Sequence, residues 1–198
     1  MGENAISEER LFRIDPQEVS LSDINLKGRI LDIGGGGEGI IGRIYGDRVI
    51  AVDPDRHELE EAPEGPLKLV MDARELLFLE CSFDTVTSFF TMMFIPNDYH
   101  EQVFQEAYRV LKPGGSFYLW DIMIPNYDGG TKDIYVFPLS IKLPDGLVNT
   151  GFGTKWRGKQ QSMEYFRGIA EKTGFECSFS DKGDHILRLV LRRTSSDN

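Results

Sequence analysis

Arg29-Ile30-Leu31-Asp32-Ile33-Gly34-Gly35-Gly36-Gly37-Glu38-Gly39-Ile40-Ile41-Gly42-Arg43 is the stretch on which the reading of this chain turns. Arg29 to Ile33 is a short run, apolar around Asp32, as expected of a strand buried on both faces. Ile40 to Arg43 opens a short helix. The four consecutive glycines between them are entropically costly to hold in one conformation, so a plain tight turn accounts for them poorly. Without a Cβ, the backbone there lets a ligand press against it. The N–H groups at the start of the following helix would point at an arriving carboxylate or phosphate.

On either side, short apolar runs alternate with helical or turn-rich segments, the rhythm of a parallel sheet covered by helices. Strands are expected at Arg29 to Ile33, Arg48 to Val52, Leu67 to Met71, Phe83 to Ser88 and Gly115 to Asp121. A helix is expected from Asp98 to Leu111, because Asp98 and Glu101 have capping-box spacing and Val103, Phe104, Ala107, Val110 and Leu111 share one face. A second helix over Ser162 to Thr173 precedes strands at Phe175 to Phe179 and His185 to Arg192, which should form a hairpin. The fold class is therefore α/β.

Residues 1–28 form an N-terminal segment, 29–193 the folded domain, and 194–198 a frayed tail. The stretch from about 125 to 158 is broken by Pro and Gly and reads as an insert. It is either a surface hairpin or a substrate wall at the carboxyl ends of the strands.

Acidic residues outnumber basic ones 32 to 22, and the net charge of -10 repels phosphate backbones and anionic lipid, so neither nucleic acid nor a membrane is an expected partner. Cys81 and Cys177 are far apart and show neither disulfide-framework nor zinc spacing; no metal is expected. With no signal-like start and no long apolar run, the expected compartment is the cytoplasm.

Two ligand classes compete for the glycine turn. Gly34, Gly36 and Gly39 satisfy the dinucleotide spacing G-x-G-x-x-G, with Asp53 placed to bind a ribose. Asp32, two residues before Gly34, opposes that reading, because an anion there would face a pyrophosphate. A negative charge suits a cationic ligand.

Taken together, these residues resemble the class I S-adenosylmethionine-dependent methyltransferase family over Arg29 to Asp121. Ile30-Leu31-Asp32-Ile33-Gly34-Gly35-Gly36 looks like its first motif and Ala51-Val52-Asp53 like the acidic end of its second strand. Met71-Asp72-Ala73 resembles the acid after the third, and Phe83-Asp84-Thr85-Val86 the start of the fourth. Arg109-Val110-Leu111-Lys112-Pro113-Gly114-Gly115 resembles the helix exit before the fifth. The departure is Glu38, where the family usually has its third glycine.

The resemblance implies a single-domain Rossmann-like sandwich, a seven-stranded, mostly parallel sheet of order 3-2-1-4-5-7-6 with helices on both faces and the last strand antiparallel. It implies S-adenosyl-L-methionine as cofactor. Asp53, followed by Pro54, would accept from both ribose hydroxyls; Asp72 and the Ala73 N–H would meet adenine. Asp32 would hold the amino group beside Gly34, Gly35 and Gly36, and Ser88 and Phe89 would flank the methionine part.

A methyl acceptor is expected to be a small molecule. Transfer from a sulfonium needs mainly alignment and exclusion of water, so a general base is optional. His57, His100 and His185 read as surface or packing residues, which leaves Asp121, at the end of the fifth strand, as the acid/base candidate. Phe90, Met92, Met93, Phe94, Trp120, Tyr127, Tyr135 and Phe137 gather large soft side chains near the expected acceptor pocket, with Met92, Met93, Trp120 and Tyr127 as substrate contacts. Lys155, Trp156, Arg157 and Lys159 either hold an acceptor carboxylate or solvate a loop. The insert or a second subunit of a homodimer would cover the acceptor. The alternatives are an NAD(P)-dependent oxidoreductase and a non-catalytic protein that binds S-adenosylmethionine or S-adenosylhomocysteine.

Overall fold

The structure, a computed structural model, describes residues 7–194, so the expected fraying of 195–198 lies outside the described residues. In chain order the elements begin with β1 (Leu11–Arg13), β2 (Gln17–Ser20), β3 (Ile30–Ile33), α1 (Ile40–Tyr45), β4 (Val49–Asp53), α2 (Arg56–Glu61) and β5 (Leu67–Val70). There follow β6 (Phe83–Phe89), α3 (His100–Val110), β7 (Leu111–Ile122), β8 (Ile134–Leu143), β9 (Gly146–Lys155), α4 (Met163–Lys172), β10 (Phe175–Lys182) and β11 (Ile186–Arg193).

The main sheet has seven strands in the order β10-β11-β7-β6-β3-β4-β5. Counted along the chain within this sheet and read from β5, that is the expected 3-2-1-4-5-7-6. β11 runs antiparallel to both neighbours, while β3 to β7 pair in parallel. All four residues of β3 are buried, as a central parallel strand between two covered faces requires.

One face of this sheet is covered by α3 and α4, where Phe104 stacks on Phe166 with centroids 6.0 Å apart and both rings are fully buried. Phe104→Ala would cost ~3–5 kcal/mol through transfer and cavity effects together. α4 starts where expected, because Ser162 Oγ accepts from the Tyr165 N–H at 3.1 Å. α3 does not start on the expected capping box. A 3-10 turn over Asn97–Tyr99 precedes it, no side chain caps it, and the Glu101 carboxylate is engaged by Lys172 Nζ at 2.5 Å.

The other face carries α1 and a second sheet that the sequence reading does not foresee. β8 pairs antiparallel with β9 and, on its other edge, in parallel with β1 and then β2. The N-terminal segment and the insert, expected as separate pieces, thus form one structure. Tyr135, Phe137, Leu139 and Ile141 of β8 alternate inward onto Trp120 and Ile122 of β7. The hairpin therefore rests on the carboxyl end of the main sheet, beside the glycine turn.

Candidate cofactor and acceptor cleft

A cleft of about 960 Å³ opens at the carboxyl ends of β3, β4 and β5, the place where a parallel sheet of this kind leaves a crevice. Asp32, Gly34, Gly36, Asp53, Pro54, Asp72, Ala73 and Phe89 all line it.

The glycine turn works through the space it leaves. The N–H groups of Gly34 and Gly35 both donate to the Val52 carbonyl, at 2.8 and 3.2 Å, and the Gly37 N–H donates to the Glu58 carbonyl at 2.8 Å. These three amides of the turn itself are spent on joining β3 to β4 and α2. What remains is close approach. Gly34 has φ +72° and a Cβ on it would overlap Thr91; a Cβ on Gly36 would stand 2.6 Å from Glu58 Cβ and 3.1 Å from Asp53 Oδ2.

Asp53 is half-buried at the end of β4. Its Oδ1 accepts from the Asp55 N–H at 2.9 Å, and the Gly36 N–H also faces the carboxylate. Burial raises its pKa above the ordinary carboxylate value, and those two N–H groups oppose the shift. Asp32 is almost wholly enclosed, and Thr87 Oγ1 donates to its Oδ1 at 2.6 Å. Burial pushes the Asp32 pKa up to about 7, the Thr87 bond opposes, and the charge of Asp53 adds to the rise. A cation arriving between these two acids would reverse that shift.

Asp72 sits lower on the scale because the Arg74 guanidinium donates to both its oxygens, Nη2 to Oδ2 at 2.6 Å. Arg74 lies over the Tyr99 ring at 4.5 Å. Both partners of the pair are about 40% exposed, so the pair contributes little to stability. Arg43, the other arginine on the wall, is paired with Glu38 at 3.2 Å. The residue that departs from the expected glycine pattern thus neutralises its own neighbour at the cleft mouth.

Several predicted residues lie elsewhere. Gly35 is packed behind the wall, where a Cβ would meet Ala51 Cβ at 2.8 Å. Ser88 lies fully buried inside β6, paired with Ile33 and Leu119. Met92, Met93 and Trp120 are core residues without solvent contact of consequence. Tyr127 packs on Trp156 at 5.7 Å and faces a separate depression with Arg10 and Arg157. These six positions were expected at the ligand; the second sheet covers Met93, Trp120 and Tyr127, Met92 packs into the core beneath α3 and α4, and Gly35 and Ser88 are enclosed between neighbouring strands.

Asp121 is corrected in the same way. It has no exposure, and Oδ1 accepts from Gln161 Nε2 at 2.7 Å and from the Ile122 N–H at 2.8 Å. Burial pushes its pKa up to about 7, against hydrogen bonds that include the N–H groups of Met92 and Met93. It is therefore a buried carboxylate fixed by Gln161 and the Ile122 N–H, and it does not line the cleft. His100 Nε2 bonds the Met92 and Ile95 carbonyls at 2.9 and 3.1 Å, and Lys159 Nζ donates to the same Ile95 carbonyl at 2.6 Å. Burial lowers the Lys159 pKa to about 8, partly offset by Asp121.

His57 is exposed and pairs with Glu61, and Trp156 is buried with Nε1 donating to the Pro125 carbonyl, so the basic cluster of the insert does not form a unit. The residues that sequence reasoning missed are Glu58, which clamps the glycine turn from α2, and Thr150, Gly151 and Phe152 of β9. The alternation of β9 could have assigned Phe152 to the inward face with Val148 and Thr150, but nothing local shows what that face meets.

Among the described residues no cluster of His, Cys, Asp and Glu is arranged to hold a metal, and no helix is long and apolar enough to cross a membrane.

Residues 31–119 match a family described as a methyltransferase domain. The chain is 30% identical to the mitochondrial 2-methoxy-6-polyprenyl-1,4-benzoquinol methylase of Xenopus laevis, over 72% of this chain and 47% of that protein. It is 28% identical to the sterol 24-C-methyltransferase of Kluyveromyces lactis, over 79% of this chain and 44% of that one. The chain thus spans less than half the length of these two relatives. A SAM-dependent methyltransferase from Methanosarcina mazei has the same fold, with a TM-score of 0.61 at 18% identity, covering 87% of this chain and 95% of that one. With the ordered motifs, the sheet order and these likenesses in agreement, residues 31–119 carry a methyltransferase domain of the class I S-adenosylmethionine-dependent kind.

Proposed function

We infer that this protein, through residues 29–193, transfers a methyl group from S-adenosyl-L-methionine to a small molecule. The observation that carries this reading against the dinucleotide alternative is the charge of the cleft. Asp32, Asp53, Asp55 and Glu58 line it without an ion-pair partner, and both arginines on the wall are already paired. A pyrophosphate would meet acids; a ligand with an ammonium and a sulfonium group would meet complementary charge.

The residues present fit that cofactor. Gly36 lets the turn pack tightly on Glu58 of α2, where a Cβ would collide, and the Asp53 carboxylate borders the open crevice beside it. In this reading Asp53 accepts from the two ribose hydroxyls. Asp72 and the Ala73 N–H take the adenine edge, Asp32 takes the amino group, and Phe89 covers the methionine chain. When bound, the cofactor supplies a methyl group on a sulfonium, open to in-line displacement. The protein contributes alignment to within about 3–3.5 Å and a dry wall. No side chain on this wall is cast as general base.

The reaction is assigned to the cytoplasm and to no nucleic acid, as the net charge of -10 and two free cysteines support. Because β9 reaches the cleft from the same chain, the reading needs no second subunit. Calorimetry with S-adenosylhomocysteine and with NADH, followed by transfer of labelled methyl into fractionated metabolites, tests it. Binding of S-adenosylhomocysteine with label transfer is expected. Tight NADH binding with no heat from S-adenosylhomocysteine would reject it, and binding without label transfer would favour a non-catalytic protein.

A further inference from the structure

Resting on that reading, we propose that Phe94 and Phe152, with Phe90 behind them, form the acceptor subsite, and that it selects a neutral, planar apolar molecule and rejects anions. Three independent features of the cleft point there.

The first is continuity. The cavity that begins at Gly34 and Asp53 extends without interruption to Phe90, Phe94, Ile95, Pro96 and Phe152. A molecule against this end is next to the place where the methyl donor must lie.

The second is the arrangement of the rings. Phe152, on β9, stacks on Phe90 with centroids 5.8 Å apart and planes 14° apart, and meets Phe94 edge-on at 6.3 Å. Phe90 holds φ +53°, a left-handed conformation that a bulky residue adopts only where surrounding structure imposes it. Its N–H donates to the Trp120 carbonyl at 2.8 Å, which fixes that turn. Phe94 keeps half its surface uncovered although it lies on the cavity, and the loop that carries it is pinned by His100 and Lys159. A rigid, partly uncovered aromatic wall is prepared for a flat apolar partner.

The third is the segregation of charge. Every acid on the cavity belongs to β3, the glycine turn, β4 and the turn after it, α2 or the segment after β5; 89–96 and 150–152 contribute none. An anionic acceptor would lose hydration at the aromatic end with no cation to receive it, and would face the acids opposite. Lys155 and Arg157, the basic residues of the insert, open onto the other depression.

The test uses the full chain, with and without saturating S-adenosylhomocysteine, titrated with three probes of one shape: 2-naphthol, 2-naphthoate and 2-naphthylmethylammonium. Calorimetry and ligand-observed NMR read the dissociation constants. 2-Naphthol is expected to bind at least about tenfold more tightly than 2-naphthoate. Phe94→Ala and Phe152→Ala are each expected to weaken 2-naphthol by about fivefold or more while S-adenosylhomocysteine affinity stays unchanged. Phe152→Leu, which keeps bulk, serves should the alanine variant fail to fold, and Phe94 is exposed enough to replace without that risk.

Equal or tighter binding of 2-naphthoate overturns the proposal, as does tighter binding of the ammonium probe, which would make the rings a cation cage. Naphthol binding indifferent to both variants also overturns it. Loss of S-adenosylhomocysteine binding in the wild type would instead sink the cofactor reading, and the titrations without it still decide the subsite.

Discussion

Gln161 Nε2 donates to Asp121 Oδ1 at 2.7 Å and to the Ile122 carbonyl at 2.7 Å, closing the end of β7 with a side chain from 40 residues further along. Asp121→Asn should therefore leave methyl transfer within a small factor of wild type. A loss of about a hundredfold, the scale of a lost general acid or base, would return Asp121 to the chemistry. The variant should also change pH dependence. Folded Asp121 keeps its proton up to about 7, whereas the unfolded group releases it near 3.8. Its contribution is full below 3.8 and declines as pH rises toward 7. Urea unfolding should show wild type losing stability relative to Asp121→Asn across that window; parallel curves would contradict the buried assignment.

The opposite sign holds for His100, whose pKa burial lowers from 6.5 to about 4. The folded state lacks a proton that the unfolded chain takes up, so stability is present above 6.5 and lost as pH falls toward 4. Between pH 7 and pH 5 the wild type should lose on the order of 2 kcal/mol more than His100→Gln. Chemical denaturation at the two pH values measures it. No difference would show that the ring is more hydrated than its bonds to Met92, Ile95 and Tyr165 imply.

At the ribose position, Asp53→Ala should weaken S-adenosylhomocysteine binding by roughly 1.5–3 kcal/mol, the range for hydrogen bonds to a charged group. Calorimetry reads this directly. An unchanged dissociation constant would remove Asp53 from the ligand.

Gly36→Ala tests the space itself. The added methyl would lie 2.6 Å from Glu58 Cβ and 3.1 Å from Asp53 Oδ2, so α2 must shift or the crevice must close. We expect ~1–3 kcal/mol of overpacking and at least about tenfold weaker cofactor affinity. Thermal melting with calorimetry separates the two effects; wild-type affinity in a destabilised variant would show that no ligand lies against position 36.

Gly168→Ala is the counterpart with the reverse sign. Gly168 is exposed within α4, and a Cβ there would meet nothing within 4 Å. The substitution should stabilise the protein by about 0.4–1 kcal/mol by restricting the unfolded chain. A lower urea midpoint would mean that this face of α4 is in use.

The main sheet was readable because its signals are local. Ile30 to Ile33, Val49 to Asp53 and Phe83 to Phe89 carry apolar runs with turn residues at their ends, and a parallel strand needs little more. The gathering of Asp32, Gly34, Asp53 and Asp72 on one cleft was readable for the same reason: they stand at or just after strand ends, and all strand ends of one direction meet at one edge of the sheet. The second sheet was not, since β8 takes β1 as its partner from more than 120 residues away and no local pattern names a partner at that distance.

Asp121 and Phe152 mark where local chemistry stops being informative. An aspartate at a strand end can be a base facing a ligand or a buried brace, and composition is the same in both cases. Gln161 and the covering hairpin make it the brace. Phe152 looks like any inward strand residue until its ring is found on Phe90, across 62 positions of chain. Residue types and their periodicity set which elements form and what each strand end can bind. Which of those ends stays open to a ligand depends on what packs over it, a property of long-range contacts that is absent from any short stretch of the chain.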